Sequence, residues 1–177
     1  MTVRFQTVLG ALAVLALAAI PTVSGQQGGQ PGDNPNLTKQ KQTIVDVRSV
    51  GTAMYTWYKD EVEPKRSEAT HKKAEAESES ESIDVTVVPA ISPENLEKVL
   101  VPKYIERIPR QDGWGNPYEF RLNTTDPNAV HVMGVRSTGR DGQFSGNVYK
   151  VGNFLPPEYD QDVVWMDGYF LRWPQKK

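Results

Sequence analysis

Residues 38–59 read TKQKQTIVDVRSVGTAMYTWYK, and large apolar side chains return through this stretch every three or four positions. The recurring apolar positions are Ile44, Val47, Val50, Met54, Trp57 and Tyr58. A period near 3.6 places them along one side of an α-helix, with charged residues such as Lys41 and Arg48 on the remaining arc. The pattern predicts an amphipathic helix of about six turns. Because such a helix gains little stability alone, it must pack against another surface.

The later part of the chain predicts a small β-sheet, which can provide this surface. Residues 117–122 and 130–135 are rich in β-forming side chains and are separated by turn formers, so they predict two strands. Two more apolar runs, 163–166 and 169–172, flank Asp167-Gly168, a dipeptide that favours the tight turn of a β-hairpin. The sequence therefore predicts the α+β class: a long N-terminal amphipathic helix packed on a small antiparallel β-sheet, with a C-terminal β-hairpin.

Composition excludes several classes of function. The chain has 177 residues, 20 basic and 22 acidic side chains and no cysteine, and its net charge is -2. This length suits one domain, and without a basic excess we expect no nucleic-acid partner. The lack of cysteine excludes disulfides, thiolate nucleophiles and cysteine-ligated zinc. His71 and His131 are the only imidazoles in the sequence.

Residues 1–25 have the pattern of a secretory signal peptide. Arg4 precedes an apolar run over residues 8–20, which is followed by Pro21 and by small residues that end at Gly25. As a helix the run would span about 20 Å, against roughly 30 Å for a hydrocarbon core, so cleavage is favoured over a permanent anchor. We expect a periplasmic or secreted product that keeps no stable membrane anchor after cleavage.

Two further segments lack the apolar side chains that a core needs. Residues 26–37 are predicted to be a flexible leader, which leaves residues 38–177 as the folded domain. Within that domain, residues 59–82 are mostly charged or small and predict a disordered, solvated insertion; an acidic strip that collects cations is the alternative. Beyond it, Ser92 followed by Pro93 predicts the start of a short helix, because serine caps helices and proline suits the first helical position.

Two clusters of turn-forming residues are candidates for chemistry. Residues 112–118 read DGWGNPY, in which glycines and a proline impose a tight path around Trp114. The indole either plugs the join between loop and sheet or stacks on a ligand. Residues 137–142 read STGRDG, and Asp160 and Asp162 follow later. Carboxylates, hydroxyls and carbonyls are the ligands that Ca²⁺ prefers, although a hydrogen-bonded turn without a metal ion would have the same sequence.

Taken in order, these segments resemble the C-terminal domain of the major, G-type pseudopilin of type II secretion systems. The similarity covers residues 38–60 and 96–164 and rests chiefly on DGWGNPY followed by STGRDG. It implies a pilin-like globular domain with a non-enzymatic, structural role. In that family, subunits form a short periplasmic pseudopilus that helps to drive folded proteins through the outer membrane. The implied partners are therefore proteins, namely secretion-system components.

The resemblance also implies a calcium ion in the loop that matches residues 137–162. The ligands that it suggests are the Thr138 carbonyl, the Asp141 carboxylate and one or both of Asp160 and Asp162. The sequence departs from the family at three points. No acidic residue precedes Asp33, whereas the family carries a glutamate at its prepilin-peptidase site; residues 147–157 lengthen the loop; and Gly113 replaces a usual proline. We expect a pseudopilin-like domain that has been redirected to the ordinary export route.

Two other functions stay open at this point. The aromatic residues Trp165, Tyr169, Phe170 and Trp173 could form an exposed face for a protein or a glycan, which would make the protein a binding module. Alternatively, Asp160, Asp162 and Asp167 near Ser137 or His131 could divide acid and base roles in a hydrolase. The sequence has no nucleophile elbow and no phosphate-binding glycine loop, and His131 lies in a strand pattern. We therefore expect that the protein is not an enzyme.

Overall fold

The computed structural model describes residues 34–67 and 82–176. The predicted signal peptide, the leader up to Asp33, and residues 68–81 of the predicted insertion lie outside the described residues, and His71 lies there too. Within the part that is described, no helix is both long and apolar enough to cross a membrane.

Two helices have ends that the sequence explains. Helix α1 spans Pro35–Glu61, and Asn34 caps it by accepting a hydrogen bond from the Asn36 amide. Helix α2 spans Pro93–Leu100, and the Ser92 hydroxyl accepts from the Asn95 amide, so the predicted start of this helix is confirmed. Helix α1 thus begins inside the predicted leader and continues two residues past Lys59 into the predicted insertion.

The strands form one large and one small sheet. They are β1 (Ser82–Asp84), β2 (Ala90–Ile91), β3 (Glu119–Leu122), β4 (Met133–Ser137), β5 (Val148–Lys150), β6 (Gly152–Phe154), β7 (Val163–Met166) and β8 (Tyr169–Pro174). The six-stranded sheet has the order β2-β3-β4-β7-β8-β6, in which only the β6–β8 pair is parallel, and β1 pairs with β5 in the second sheet. The predicted α+β class is confirmed.

Both faces of the large sheet are covered, as β7 demonstrates. All four residues of this strand are buried. Val163 and Trp165 belong to the main core with α1, whereas Val164 and Met166 belong to a second core on the opposite face, built with Ile83, Val85, Val88, Tyr149 and Leu171. A continuous apolar run of four residues is what a strand covered on both sides requires.

The side of α1 that faces the core is not apolar along its whole length. Gln40 and Thr43 are 2% and 0% exposed, whereas Ile44 is only partly buried. The Thr43 hydroxyl donates to the Lys39 carbonyl and accepts from the Gly113 amide. An apolar residue there would leave that amide without an acceptor. The prediction of a long N-terminal amphipathic helix is therefore wrong in that form, since the first turns bury polar side chains.

Farther along α1, a single glycine sets the distance between helix and sheet. A Cβ atom on Gly51 would lie 2.5 Å from the Trp165 ring, so the indole packs directly on the helix backbone. Trp165 lies opposite Val135 in the β4–β7 register and is 4% exposed. The helix thus packs across the middle of the sheet.

Candidate functional site

The two predicted clusters meet at a buried carboxylate. Asp112 is 6% exposed, and its Oδ1 accepts from the amides of Trp114 and Asn116, both at 2.9 Å. Its Oδ2 accepts from the Ser137 hydroxyl at 2.6 Å, at the end of β4. A second bond crosses the same gap, from Asn116 Nδ2 to the Gly139 carbonyl at 2.7 Å. One carboxylate therefore shapes the first turn and fastens it to the second.

The first turn also rests on the beginning of α1. The Gly113 amide donates to Thr43 Oγ1 at 3.0 Å, and a Cβ atom on Gly113 would lie 2.2 Å from the Lys39 carbonyl oxygen. A proline, the residue usual in the resembled family, would lack this amide and would collide with α1. Trp114 is partly buried and donates through Nε1 to Asn36 Oδ1 at 3.2 Å. These contacts agree with the structural role considered for the indole.

Asp160 and Asp141, two of the predicted calcium ligands, both lie on the surface but differ in their hydrogen-bond partners. Asp160 has both oxygens engaged: Arg140 Nε and Nη2 each donate to one of them at 2.7 Å. These bonds lower the pKa of Asp160, and the same pairing raises the pKa of Arg140. Asp141 is exposed, and its Oδ1 accepts from the Gln143 amide at 3.0 Å in a turn. Both oxygens of Asp160 therefore already bind a positively charged side chain of the same protein.

Asp162, the third predicted carboxylate ligand, is almost fully buried. It is 2% exposed, and its Oδ2 accepts from the Ser145 amide at 2.9 Å and from the Ser145 hydroxyl at 2.7 Å. The Tyr149 hydroxyl lies 2.8 Å from the same oxygen. Burial and the Asp162 carboxylate both raise the pKa of Tyr149, so its phenol stays protonated. Asp162 Oδ1, in contrast, is buried with no hydrogen-bond partner.

Thr138 carries a matching unpaired oxygen. Its Oγ1 is buried with no hydrogen-bond partner, and the residue is 6% exposed. The β4–β7 register ends with the pair Ser137 and Val163, so Thr138 follows β4 and Asp162 precedes β7 at the same end of these two strands. Each of the two residues has one buried oxygen without a hydrogen-bond partner.

These observations decide how far the residues fit a calcium ion. Among residues 34–67 and 82–176, no three histidine or acidic side chains form a group that could hold a metal ion. Asp162 Oδ1 and the Thr138 hydroxyl are unpaired oxygens of the kind that a hard cation prefers, but the ligand predicted at Thr138 is its carbonyl. Asp160 fits only if it leaves Arg140. A calcium ion at Thr138, Asp141, Asp160 and Asp162 stays a prediction.

A buried charge network adjoins Asp162. Arg136 is 5% exposed and binds both Glu119 oxygens, through Nε and Nη2, each at 3.0 Å. Its Nη1 donates to the Tyr149 hydroxyl at 3.1 Å and to the Gly146 carbonyl at 2.9 Å. Burial raises the pKa of Glu119, but the hydrogen bonds and charges of Arg136 and Arg121 together lower it more, so the net pKa falls below the ordinary value. Arg136 and Tyr149 thereby connect Glu119 on β3 to Asp162 before β7.

Of the residues proposed for a hydrolase, the structure brings His131 and Asp167 together, but the described contacts do not join this pair to Ser137. His131 precedes β4 instead of lying in it, because Asp167 Oδ1 accepts from the amides of Val132 and Met133. The strand predicted at residues 130–135 therefore starts later, at Met133. His131 Nδ1 lies 2.8 Å from Asp167 Oδ2. Ser137 donates to Asp112, so the described contacts join neither His131 nor Asp160 to this hydroxyl.

The aromatic side chains of β7 and β8 are mostly covered. Trp165 packs on α1, and the Phe170 ring lies 5.5 Å from the Arg48 guanidinium carbon of the same helix. Trp173 is partly buried, and Tyr169 is 37% exposed. Tyr169 is therefore the most accessible of the four aromatic residues predicted to form a binding face.

Sequence reasoning missed which residues bind the predicted ligands. Arg140, Ser145 and Tyr149 fix Asp160 and Asp162. The separation from Arg140 to Asp160 is 20 positions, too long for any local rule to pair them. The one available signal was the neighbouring pair Arg140-Asp141, which sets a cation beside a predicted metal ligand.

Comparison with known proteins adds no relative to this geometry. No family model, no curated protein and no solved structure matches the chain. Function is therefore inferred from the chain's own residues.

Proposed function

We propose that this protein is a non-enzymatic, exported structural or interaction protein of the pseudopilin-like type, linked to type II protein secretion. The observation that carries the proposal is the Asp112 carboxylate, which joins the DGWGNPY turn to the STGRDG turn. These two stretches carry the resemblance to the G-type pseudopilin. Their union by buried hydrogen bonds supports one scaffold in which both motifs serve structure.

The arrangement of helix and sheet gives further support to a pilin-like domain with a C-terminal hairpin. Helix α1 packs against the antiparallel strands β4 and β7, and β7 and β8 are antiparallel neighbours joined by Asp167 and Gly168. Asp167 has a φ of 47° and Gly168 a φ of 109°, the left-handed values that a tight turn between strands requires. A periplasmic or secreted location and secretion-system partners belong to the same proposal.

Calcium enters this proposal as a ligand that stabilises the loop and takes no part in a reaction. The support for it is the pair of unpaired buried oxygens, Thr138 Oγ1 and Asp162 Oδ1. Bound calcium would supply a charge that satisfies them, and the chain's own residues would fix the loop around it.

Loss of the protein from a strain with an active type II system tests the function. We expect deletion of the gene to leave folded substrate enzymes in the periplasm, and the wild-type gene on a plasmid to return them to the medium. The measurement is the ratio of substrate activity in medium and periplasm. Unchanged ratios in the deletion strain would contradict the link to secretion.

Two variants separate the scaffold from general effects of mutation. Asp112→Ala breaks the bond to Ser137 and should fail to restore secretion. Asp126→Ala is the matched control, because Asp126 is exposed and its carboxylate accepts from the Asn128 amide within a turn. It should restore secretion fully. Equal restoration by both variants would show that the joined turns are unimportant to the role.

The other two functions find less support in the geometry. A binding module would need the aromatic side chains of β7 and β8 on the surface, but Trp165 is 4% exposed. A hydrolase would need its paired carboxylates near Ser137 or His131, but Arg140 binds both oxygens of Asp160 and Ser137 donates to Asp112. For these reasons we propose neither.

A further inference from the structure

A cleft at the end of α1 has an apolar lining. It has a volume of about 460 Å³ and lies between the end of α1, the end of α2 and the turn that follows β3. Trp57 and Val62, which are 9% and 7% exposed, line it together with the partly buried Val99 and Tyr104. All four residues belong to the main core or pack against it. A cleft of this size and lining can bury a large apolar side chain of a ligand.

The two carboxylates that line this cleft already have donors. Glu61 Oε1 accepts from Lys103 Nζ at 3.3 Å and lies 3.5 Å from the Tyr104 hydroxyl. Asp126 Oδ1 accepts from the Asn128 amide at 2.8 Å within its own turn. Each carboxylate of the cleft therefore accepts a hydrogen bond from the same chain.

Three donors of the cleft, in contrast, have unused bonding capacity. No described hydrogen bond or ion pair engages the Lys65 ammonium or the Thr124 hydroxyl. Asn123 Oδ1 accepts from the amides of Thr125 and Asp126, while no described bond engages Asn123 Nδ2. A ligand that complements these donors must supply acceptors, and a carboxylate is the acceptor that best matches an ammonium group.

We infer that this cleft binds a short extended segment of a partner protein, in which a large apolar side chain has an acidic neighbour. The inference rests on the interaction role in the proposed function, and it assigns the surface that meets the partner. The apolar side chain lies against the apolar lining, and the carboxylate pairs with Lys65. An extended backbone supplies carbonyls at regular intervals, which suits the donors of Asn123 and Thr124. This surface is distinct from the aromatic residues of β7 and β8, which do not line the cleft.

The probe is the peptide Ac-Gly-Glu-Phe-Glu-Gly-NH₂, titrated into the isotope-labelled protein and followed by NMR. It carries a carboxylate on both sides of one aromatic ring, so that either chain direction is tested. We expect shifts concentrated in residues 57–65, 99–104 and 123–127. Replacing phenylalanine by alanine in the peptide should weaken binding about tenfold or more, because most of the buried apolar area is lost. Replacing both glutamates by glutamine should weaken it about two- to fivefold, the range of an exposed ion pair.

Lys65→Gln and Lys150→Gln form a matched pair of protein variants. Each removes one exposed positive charge, but Lys65 lines the cleft and Lys150 does not. Lys65→Gln should weaken binding of the glutamate peptide about two- to fivefold and leave the glutamine peptide unchanged, whereas Lys150→Gln should change neither.

A third variant, Thr124→Trp, blocks the cleft with a large side chain and should weaken the binding of every peptide. Thr124 is exposed and its hydroxyl makes no described bond, so urea unfolding of this variant should match that of wild type. Weaker binding with unchanged stability then reports the cleft and not a damaged fold.

The outcomes are decisive in each direction. Shifts at the cleft that depend on the phenylalanine and on the pairing of Lys65 with glutamate support the inference. Shifts elsewhere, equal binding of the alanine peptide, equal effects of Lys65→Gln and Lys150→Gln, or no shift with any peptide overturn it. Self-association that Thr124→Trp abolishes, without peptide binding, would make a second copy the occupant and would also overturn it.

The peptide titration and the secretion assay can fail separately. If the peptide binds but deletion of the gene leaves secretion unchanged, the cleft stands and the link to secretion falls. If deletion impairs secretion but the peptide does not bind, the link to secretion stands and the cleft falls.

Discussion

Asp112→Ala should destabilise the fold by about 3 kcal/mol. The Ser137 hydroxyl is fully buried, and the loss of its charged acceptor costs about 1–3 kcal/mol. The bonds from the Trp114 and Asn116 amides are only partly buried, so we expect a smaller cost of about 0.5–1 kcal/mol for each. The sum lies at about 2–5 kcal/mol.

The assay is urea unfolding at neutral pH in EDTA, followed by tryptophan fluorescence. Asp141→Ala is the matched control, since it also removes a carboxylate that accepts from the amide two residues onward, but at an exposed position. Its cost should stay below about 1 kcal/mol, the range of surface substitutions and turn bonds. Asp112→Asn keeps one acceptor oxygen and should fall between the two.

A particular result would refute this reasoning. If Asp112→Ala and Asp141→Ala cost the same small amount, the buried carboxylate does not join the two turns in solution. A large cost with an altered denaturant slope would point instead to a change in the compactness of the folded or unfolded state.

Three further predictions concern the core, the charge network and the acid response. Gly51→Ala should lower the free energy of unfolding in urea by about 1–2 kcal/mol, even though alanine favours helices, because a Cβ atom would lie 2.5 Å from the Trp165 ring. Thr52→Ala, on the exposed side of α1, is the control and should leave the free energy of unfolding unchanged. Equal effects of the two substitutions would contradict the close packing of helix and ring. Tyr149→Phe should lower the free energy of thermal unfolding by about 1–3 kcal/mol, because buried Asp162 loses the hydrogen bond from the Tyr149 hydroxyl. Tyr169→Phe is the control and should be neutral. A neutral Tyr149→Phe would mean that a water molecule donates to Asp162 in place of the hydroxyl. Because the pKa of Glu119 is lowered in the folded state, its carboxylate stabilises the fold above the ordinary glutamate pKa, and this stability is lost as the pH falls through the lower folded-state value. Glu119→Gln should therefore flatten the decline of the free energy of unfolding below about pH 4.5. An unchanged decline would contradict the Arg136 pairing.

The sequence predicted best those features that short-range rules determine. The start of α2 was predictable because Ser92 and Pro93 act within one turn. The predicted C-terminal hairpin stays part of the proposal; it rests on the same kind of local rule, since Asp167 and Gly168 tolerate left-handed backbone angles that other residues resist. The class followed from the period of the apolar residues, which differs between helix and strand.

Features that depend on distant partners were beyond sequence reasoning. Thr43 is buried because it serves the Gly113 amide, 70 positions away. The start of β4 depends on Asp167, whose carboxylate accepts hydrogen bonds from the backbone amides of Val132 and Met133. The predicted metal ligands were chosen by residue type, but their bonding is decided by Arg140, Ser145 and Tyr149, which composition does not distinguish from other polar residues.

The short strands at the margins of the large sheet limit how copies of this protein can associate. One margin is β2, with two residues, and the other is β6, with three. Edge strands this short offer few free backbone groups with which a strand of another chain could pair. Edge-to-edge growth of the sheet into amyloid-like ribbons is therefore disfavoured. We therefore expect any ordered filament that includes this protein to be held by side-chain contacts between complementary surfaces.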